Sequence, residues 1–311
     1  MPERIILCGY ERNERCRVVL NALERLPNTL PVFGLMEERP EPWSEIEEEV
    51  APAPLFRDRP MSVCTSDEVI DAPGTVMIVL GGSIDALLDR WDQVRLLVPD
   101  ACCGVQHPRV FVLSSALVDV VVSLLRPLLR AGLQRSTVVS LEPLSLLGDT
   151  AVPAALREVV SLLNGRGALL DFFPWQSVFN MVPVGTEDTQ HTLMALQERL
   201  DCSSVHVSLI RQQTTLLYGM TLVMDVGFSE PMSLEMLQQM LSGLPIRWCQ
   251  QARDLSVVEY LAGQEDETPM LGVHVEHPGS CNLIIRVVVD ELRYGLGVQL
   301  LRILSVIGTA L

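Results

Sequence analysis

Short, fully apolar runs separated by helix-period segments limit what the first half of this chain can become. Ile5-Ile6-Leu7-Cys8, Val76-Met77-Ile78-Val79-Leu80 and Val110-Phe111-Val112-Leu113 carry no charge. That is the pattern of strands buried on both faces. Glu14 to Leu26 places Val18, Val19, Leu20, Ala22 and Leu23 at helical spacing, and Pro27-Asn28 stops it. Leu30 to Leu35 predicts a second strand. Gly81-Gly82-Ser83 predicts a turn from the Val76–Leu80 strand into a helix over Ile84 to Leu97. Strands alternating with helices predict a parallel sheet covered on both faces.

The second half reads differently. Helices near 151–163 and 187–200 alternate with strands near 204–211, 215–226, 268–275 and 281–288. Several of these strands follow one another without a helix, which predicts an antiparallel or mixed sheet and an α+β unit. A last helix is expected from Glu291 to Ile307, ending before Gly308. The stretch Glu37 to Pro54 is acidic and Pro-rich and reads as a solvated loop, with the run Glu45 to Glu49 as a possible docking surface for a basic partner.

Composition narrows the function classes. The chain has 311 residues, 48% hydrophobic and 20% charged, enough for two domains or one large one. A net charge of −16 opposes nucleic acid, whose phosphates reward Lys and Arg, and opposes an anionic membrane surface. No leader-like segment is read at the start, and Arg302 interrupts the apolar run near the end. The eight Cys show no metal spacing, and reduced thiols in the cytoplasm are the expectation.

One helix start carries more information than the rest. After the strand Val110–Leu113, Ser114-Ser115 offer N-cap hydroxyls, and Ala116-Leu117-Val118-Asp119-Val120-Val121 opens a long apolar helix. A helix N-terminus lowers the pKa of a thiol, so a Cys here would be a reactive thiolate. Ala116 occupies the place.

The chain resembles the aspartate-semialdehyde dehydrogenases. The resemblance rests on that helix start and on the helix end Leu125-Arg126-Pro127-Leu128. The strand Ser136-Thr137-Val138-Val139-Ser140 follows, then Phe179-Asn180-Met181-Val182-Pro183, Val226-Gly227-Phe228-Ser229-Glu230 and Asp290-Glu291-Leu292-Arg293-Tyr294-Gly295. All lie in family order. Usg-type paralogs are similar in lacking the Cys, a Ser standing there.

The resemblance implies a Rossmann-like parallel-sheet domain over 1–115 plus about 291–311, degenerate for dinucleotide. It also implies an α+β substrate and dimerisation domain over 116–290, and a homodimer. The family reaction needs a thiolate that attacks the aldehyde, so that the adduct can give hydride to a nicotinamide. It also needs a Gln, a substrate-binding Arg and a proton-moving His. Counted along this chain, those four places fall at Ala116, Pro143, Thr221 and Phe228. None of the four can do the task. The family's glycine-rich loop falls at Gly9-Tyr10-Glu11-Arg12-Asn13-Glu14-Arg15, where Gly9 alone survives. Remnants of a nucleotide site are therefore Gly9, Gly81, Gly82 and Ser83.

Other features read as structural. Ser114 and Ser115 lack an evident base and are expected to cap the helix. His274-Val275-Glu276-His277 is the one His cluster, but alternation sends His277 away from His274 and Glu276, so it reads as a strand end and not a metal site. Asn180 is expected to satisfy a turn before Pro183. Trp43 and Trp175 each follow a Pro, and exposure of either would favour a protein contact.

The expected function is a catalytically inactive homologue, binding no cofactor, that acts as a binding or scaffolding protein with an unidentified protein partner. Two alternatives stay open. One is an NADP-dependent oxidoreductase with a displaced site, drawing on Cys102 or Cys103. The other is a small-molecule sensor using the interdomain cleft.

Overall fold

A computed structural model describes residues 4–8, 32–36, 55–56, 59–60, 62–65, 75–79, 96–97, 110–113, 115–148, 150–202, 204–262, 270–300 and 303. The chain divides into two compact units, Met1–Ser114 with Leu296–Leu311, and Ser115–Gly295.

The first unit is built on parallel strands. β1 is Arg4–Cys8, β2 Val32–Met36, β3 Leu55–Phe56, β4 Arg59–Pro60, β5 Ser62–Thr65, β6 Thr75–Val79, β7 Leu96–Leu97 and β8 Val110–Val112. Among the described residues six of these form one sheet in the order β5-β2-β1-β6-β8-β7, every pair parallel. β3 and β4 form a separate antiparallel pair. Ile5, Leu7, Val76 and Ile78 are buried, as the uncharged runs require. Leu96-Leu97, expected as the end of a helix, instead pair with Val110-Phe111 as an edge strand. A two-residue apolar stretch fits either period, so only its neighbour decides. The segments expected as helices over 14–26 and 84–95, the acidic stretch 37–54 and the Gly9 and Gly81–Ser83 loops lie outside the described residues.

The second unit opens with α1, Ala116–Leu128. Ser115 caps it, its hydroxyl oxygen accepting from the Val118 N–H at 3.3 Å. Val118 and Val120–Val122 have modest helix propensity, but nearly every side chain of α1 is buried, and burial overrides propensity. A 3₁₀ turn over Leu129–Ala131 and Gly132 at φ 78° end it.

Then follow β9 (Leu133–Glu142), α2 (Ala151–Leu163), β10 (Val182–Pro183), α3 (Thr186–Leu200), β11 (His206–Gln213), β12 (Met220–Met232), α4 (Leu234–Met240), β13 (Ile246–Trp248), α5 (Val257–Ala262), β14 (Leu271–Glu276) and β15 (Ser280–Val289). Among the described residues the sheet has seven strands in the order β10-β11-β9-β12-β15-β14-β13. The β11–β9 and β13–β14 pairs are parallel and the others antiparallel. Its buried face stacks Val138, Met224 and Ile285 on adjacent strands. Residues 291–298, expected as ordinary helix, form a π-helical segment. Among the described residues no helix is long and apolar enough to cross a membrane.

Candidate functional site at the carboxyl end of β9

Strand directions collect four chain segments at one end of the second sheet. β9 and β11 run parallel, so Glu142 and Gln213 end side by side. β12 starts there, because it runs antiparallel to β9, and β15 ends there, Val289 pairing with Met220. Backbone bonds stitch the connections. Thr214 N–H donates to the Glu142 carbonyl at 2.9 Å, Leu144 N–H to Leu216 at 2.7 Å and Ser145 N–H to Leu217 at 3.0 Å.

Glu291 is the focus of this end. It is buried, and its carboxylate accepts from the Ser145 hydroxyl and from the Gly219 N–H at 2.8 Å. One side chain thereby joins the segments that follow β9, precede β12 and follow β15. Gly219 has φ +88°, and a Cβ there would strike the Val257 side chain, so both conformation and space call for glycine. Burial pushes the Glu291 carboxyl above the ordinary range. The Ser145 and Gly219 hydrogen bonds pull it down, and the neighbouring Asp290 charge pushes it further up. Asp290 turns the chain after β15, its Oδ1 accepting from Leu292 N–H at 3.1 Å and Arg293 N–H at 2.8 Å. A turn later Gly295 meets the start of α1, where a Cβ on it would lie 2.5 Å from the Ala116 Cβ.

At the ends of β9 and β11 stands an ion pair in which Glu142 is buried and Arg211 partly so. Arg211 donates from Nε to Glu142 Oε1 at 2.6 Å and from Nη2 to Oε2 at 2.8 Å. Its Nη1 reaches Thr192 Oγ1 at 3.0 Å and the Asp188 carbonyl at 3.2 Å. The fork is bidentate and both Nη1 donors are engaged, which links β9, β11 and α3.

The four places counted for family chemistry do not all meet here. Ala116 is the first residue of α1 and only 7% exposed. Pro143 follows β9 directly and enters the 3₁₀ turn Leu144–Leu147. Thr221 is half-buried and pairs with Leu141, two residues before Pro143. Phe228 stands at the far end of β12, opposite Leu133, and is buried on the other face of the strand from Thr221. Seven residues at about 3.3 Å each separate Thr221 from Phe228 by roughly 23 Å.

The other singled-out residues have ordinary partners. His274 Nδ1 lies 3.0 Å from the Cys249 carbonyl, and Glu276 accepts from Arg286 at 2.6 Å, which holds its carboxyl below the usual range. His277 turns the β14–β15 connection at φ 60°. Asn180 Oδ1 accepts from Met181 N–H at 2.9 Å and its Nδ2 donates to the Gln176 carbonyl at 2.8 Å. Trp175 is exposed; Trp43, Cys102, Cys103 and Ser114 lie outside the described residues. Glu291, Ser145 and Gly219 were not singled out individually. The signal was there for two of them: a carboxylate in Asp290-Glu291-Leu292-Arg293, and a lone glycine at a strand entry.

No protein-family model matches the chain, and no curated protein matches it. Solved structures do. The chain is similar to aspartate semialdehyde dehydrogenase II of Vibrio cholerae, at 17% identity, 99% coverage of both chains and a TM-score of 0.76. A probable aspartate-semialdehyde dehydrogenase of Pseudomonas aeruginosa gives 17% identity, full coverage of both chains and a TM-score of 0.77. The aspartate semialdehyde dehydrogenase of Francisella tularensis gives 12% identity and 0.70, covering 99% of this chain and 100% of its own. The chain therefore has the two-domain α/β fold of these dehydrogenases along its whole length.

Proposed function

We propose that this chain is a member of the aspartate-semialdehyde dehydrogenase family that has lost the reaction and serves as a binding or scaffolding protein. The observation that carries this reading is Ala116 at the first position of α1. That place combines free N–H groups with the positive end of the helix and would make a Cys nucleophilic. A methyl group has nothing to activate. Gly295 packs against Ala116, and the other counted places agree: Pro143 offers no amide donor, and Thr221 cannot neutralise a carboxylate.

The first unit is read as a degenerate dinucleotide domain over 1–115 and about 291–311, and the second, over 116–290, as the dimerisation domain of a cytoplasmic homodimer. In the first sheet β1 lies between β2 and β6, where a doubly wound sheet opens its crevice for a dinucleotide. The residues that would meet a pyrophosphate, Gly9 to Arg15 and Gly81 to Ser83, lie outside the described residues. Arg12 and Arg15 replace glycines there, and Glu11 and Glu14 add like charge, so the reading is that NADP is not held.

Two measurements test the proposal. Purified protein is assayed with aspartate semialdehyde, phosphate and NADP, and no NADPH should form. Melting is followed with NADP and NAD. A bound cofactor at a hundredfold over its Kd would add about 2.7 kcal/mol, and no shift is expected. Turnover at rates typical of an active dehydrogenase overturns the reading.

A further inference from the structure

The chain enters the second unit at Ser115 and leaves it at Gly295, and these two places lie side by side. A Cβ on Gly295 would meet the Ala116 Cβ at 2.5 Å. The chain leaves through the π-helical segment Glu291–Val298, which begins in the second unit and ends in residues grouped with the first. Such a turn is rare and is found mostly where a function uses it.

Two adjacent carboxylates hold the start of this segment. Asp290 Oδ1 accepts from the Leu292 and Arg293 N–H groups, and the Asp290 carbonyl accepts from the Tyr294 N–H at 2.9 Å. Glu291 reaches the other way, to the Ser145 hydroxyl and the Gly219 N–H. Ser145 follows β9 and Gly219 precedes β12, so neither belongs to the segment. Releasing the one Glu291 side chain frees the segment from both.

The surroundings of Glu291 set the sign of its response to pH. On its own element stand Asp290, whose charge opposes a second negative one, and Arg293, which is half-buried. Residues 143–147 carry no charge, and Glu142 before them is held by Arg211. Tyr218, ahead of Gly219, and Glu259 of α5 are exposed. Burial opposes ionisation of Glu291 most, and the Asp290 charge adds to it.

We propose that Glu291 is a proton-operated latch on the segment through which the chain leaves the second unit. Neutral, the carboxyl stays buried and ties the π-helical turn to Ser145 and Gly219. Ionised, it favours water, and the segment opens more often. Opening exposes the carboxyl, which in water ionises near about 4.3. The open segment therefore binds fewer protons than the closed one. Opening rises as pH climbs above that value, about tenfold for each unit by which the fold has lifted the carboxyl, and levels above the folded-state value. The latch rests on the second unit and not on the loss of the dehydrogenase reaction, so the turnover assay and the test below fail independently.

Hydrogen exchange of the full-length protein tests it. Protection factors, with the intrinsic pH dependence of exchange divided out, are read for the Gly219, Leu292, Arg293 and Tyr294 amides. The buried strand residues Val138 and Met224 serve as the reference, over a pH series that starts near about 4 and extends to neutral. The latch amides should be less protected than the reference, and should lose protection as pH rises before levelling off. Glu291→Gln keeps an acceptor for Gly219 and cannot ionise, so its protection should not vary with pH. Asp290→Asn keeps the Oδ1 acceptor and removes the neighbouring charge, so its loss of protection should level off at a lower pH than in the native protein. Latch amides that exchange only together with Val138 and Met224 overturn the proposal, because the segment would then open only by global unfolding. So does a native profile flat with pH, a Glu291→Gln variant that follows the native profile, or an Asp290→Asn profile that levels at the native pH.

Discussion

At the scale of single residues, Glu291 concentrates the most consequences in the fewest atoms. Its carboxylate accepts from a buried hydroxyl and a buried backbone N–H at once. Glu291→Ala should therefore cost about 1–3 kcal/mol in urea unfolding, the penalty of stranding buried polar groups. Glu291→Gln keeps one acceptor and one donor and should cost less. The pH dependence follows from the raised carboxyl. The folded state holds this proton more tightly than the unfolded chain, so the contribution is most favourable below the ordinary glutamate value near about 4.3. It declines as pH rises from there to the folded-state value and is level beyond it. The difference in stability between the native protein and Glu291→Gln should trace that decline as pH rises above about 4. A difference flat across the range would contradict the assignment. Ala116 belongs to the same scale, since the absence of one sulfur atom separates an enzyme reading from a binding one.

At the scale of elements, α1 and the β9–β11 pair anchor the second unit. Leu124 is fully buried in α1. Leu124→Ala should lose about 2–5 kcal/mol, read as a lower urea midpoint, because a close-packed helix cannot move in to fill the space. The Arg211–Glu142 fork makes a sharper prediction. Arg211→Met strands a buried carboxylate and should cost about 3–5 kcal/mol, whereas adding Glu142→Leu should recover most of that loss. If the double variant is as unstable as the single one, the pair is not coupled as its geometry requires. The elements also show where reading by pattern works. α1, β9 and α2 carry long, strong periods, and their expected limits lie within a few residues of the observed ones. Leu96-Leu97 and the residues after Glu291 are short or irregular, and there local period could not separate strand from helix, or α from π.

At the scale of the whole molecule, charge governs behaviour beyond the fold. A net −16 over 311 residues makes the folded state repel itself. The melting temperature should rise as NaCl increases from about 20 to about 200 mM, where the Debye length shrinks from roughly 20 to below 10 Å. A fall would mean that attractive ion pairs outweigh the general repulsion. The class of fold, a parallel sheet in the first half and a mixed sheet in the second, was legible from sequence alone. Burial on both faces leaves uncharged runs, and burial on one face leaves alternation, and both survive in a chain with 17% identity to its structural neighbours. That Ala116 opens α1 behind a Ser115 cap was legible too, because helix capping is a local code. What meets at the end of β9 was not. Strand register and direction set which residues share an end of a sheet, and no stretch of sequence carries that information by itself. So Thr221 and Phe228, counted together, lie roughly 23 Å apart along β12. Glu291, more than seventy residues from Gly219 and Ser145, became the centre only when three segments were brought together.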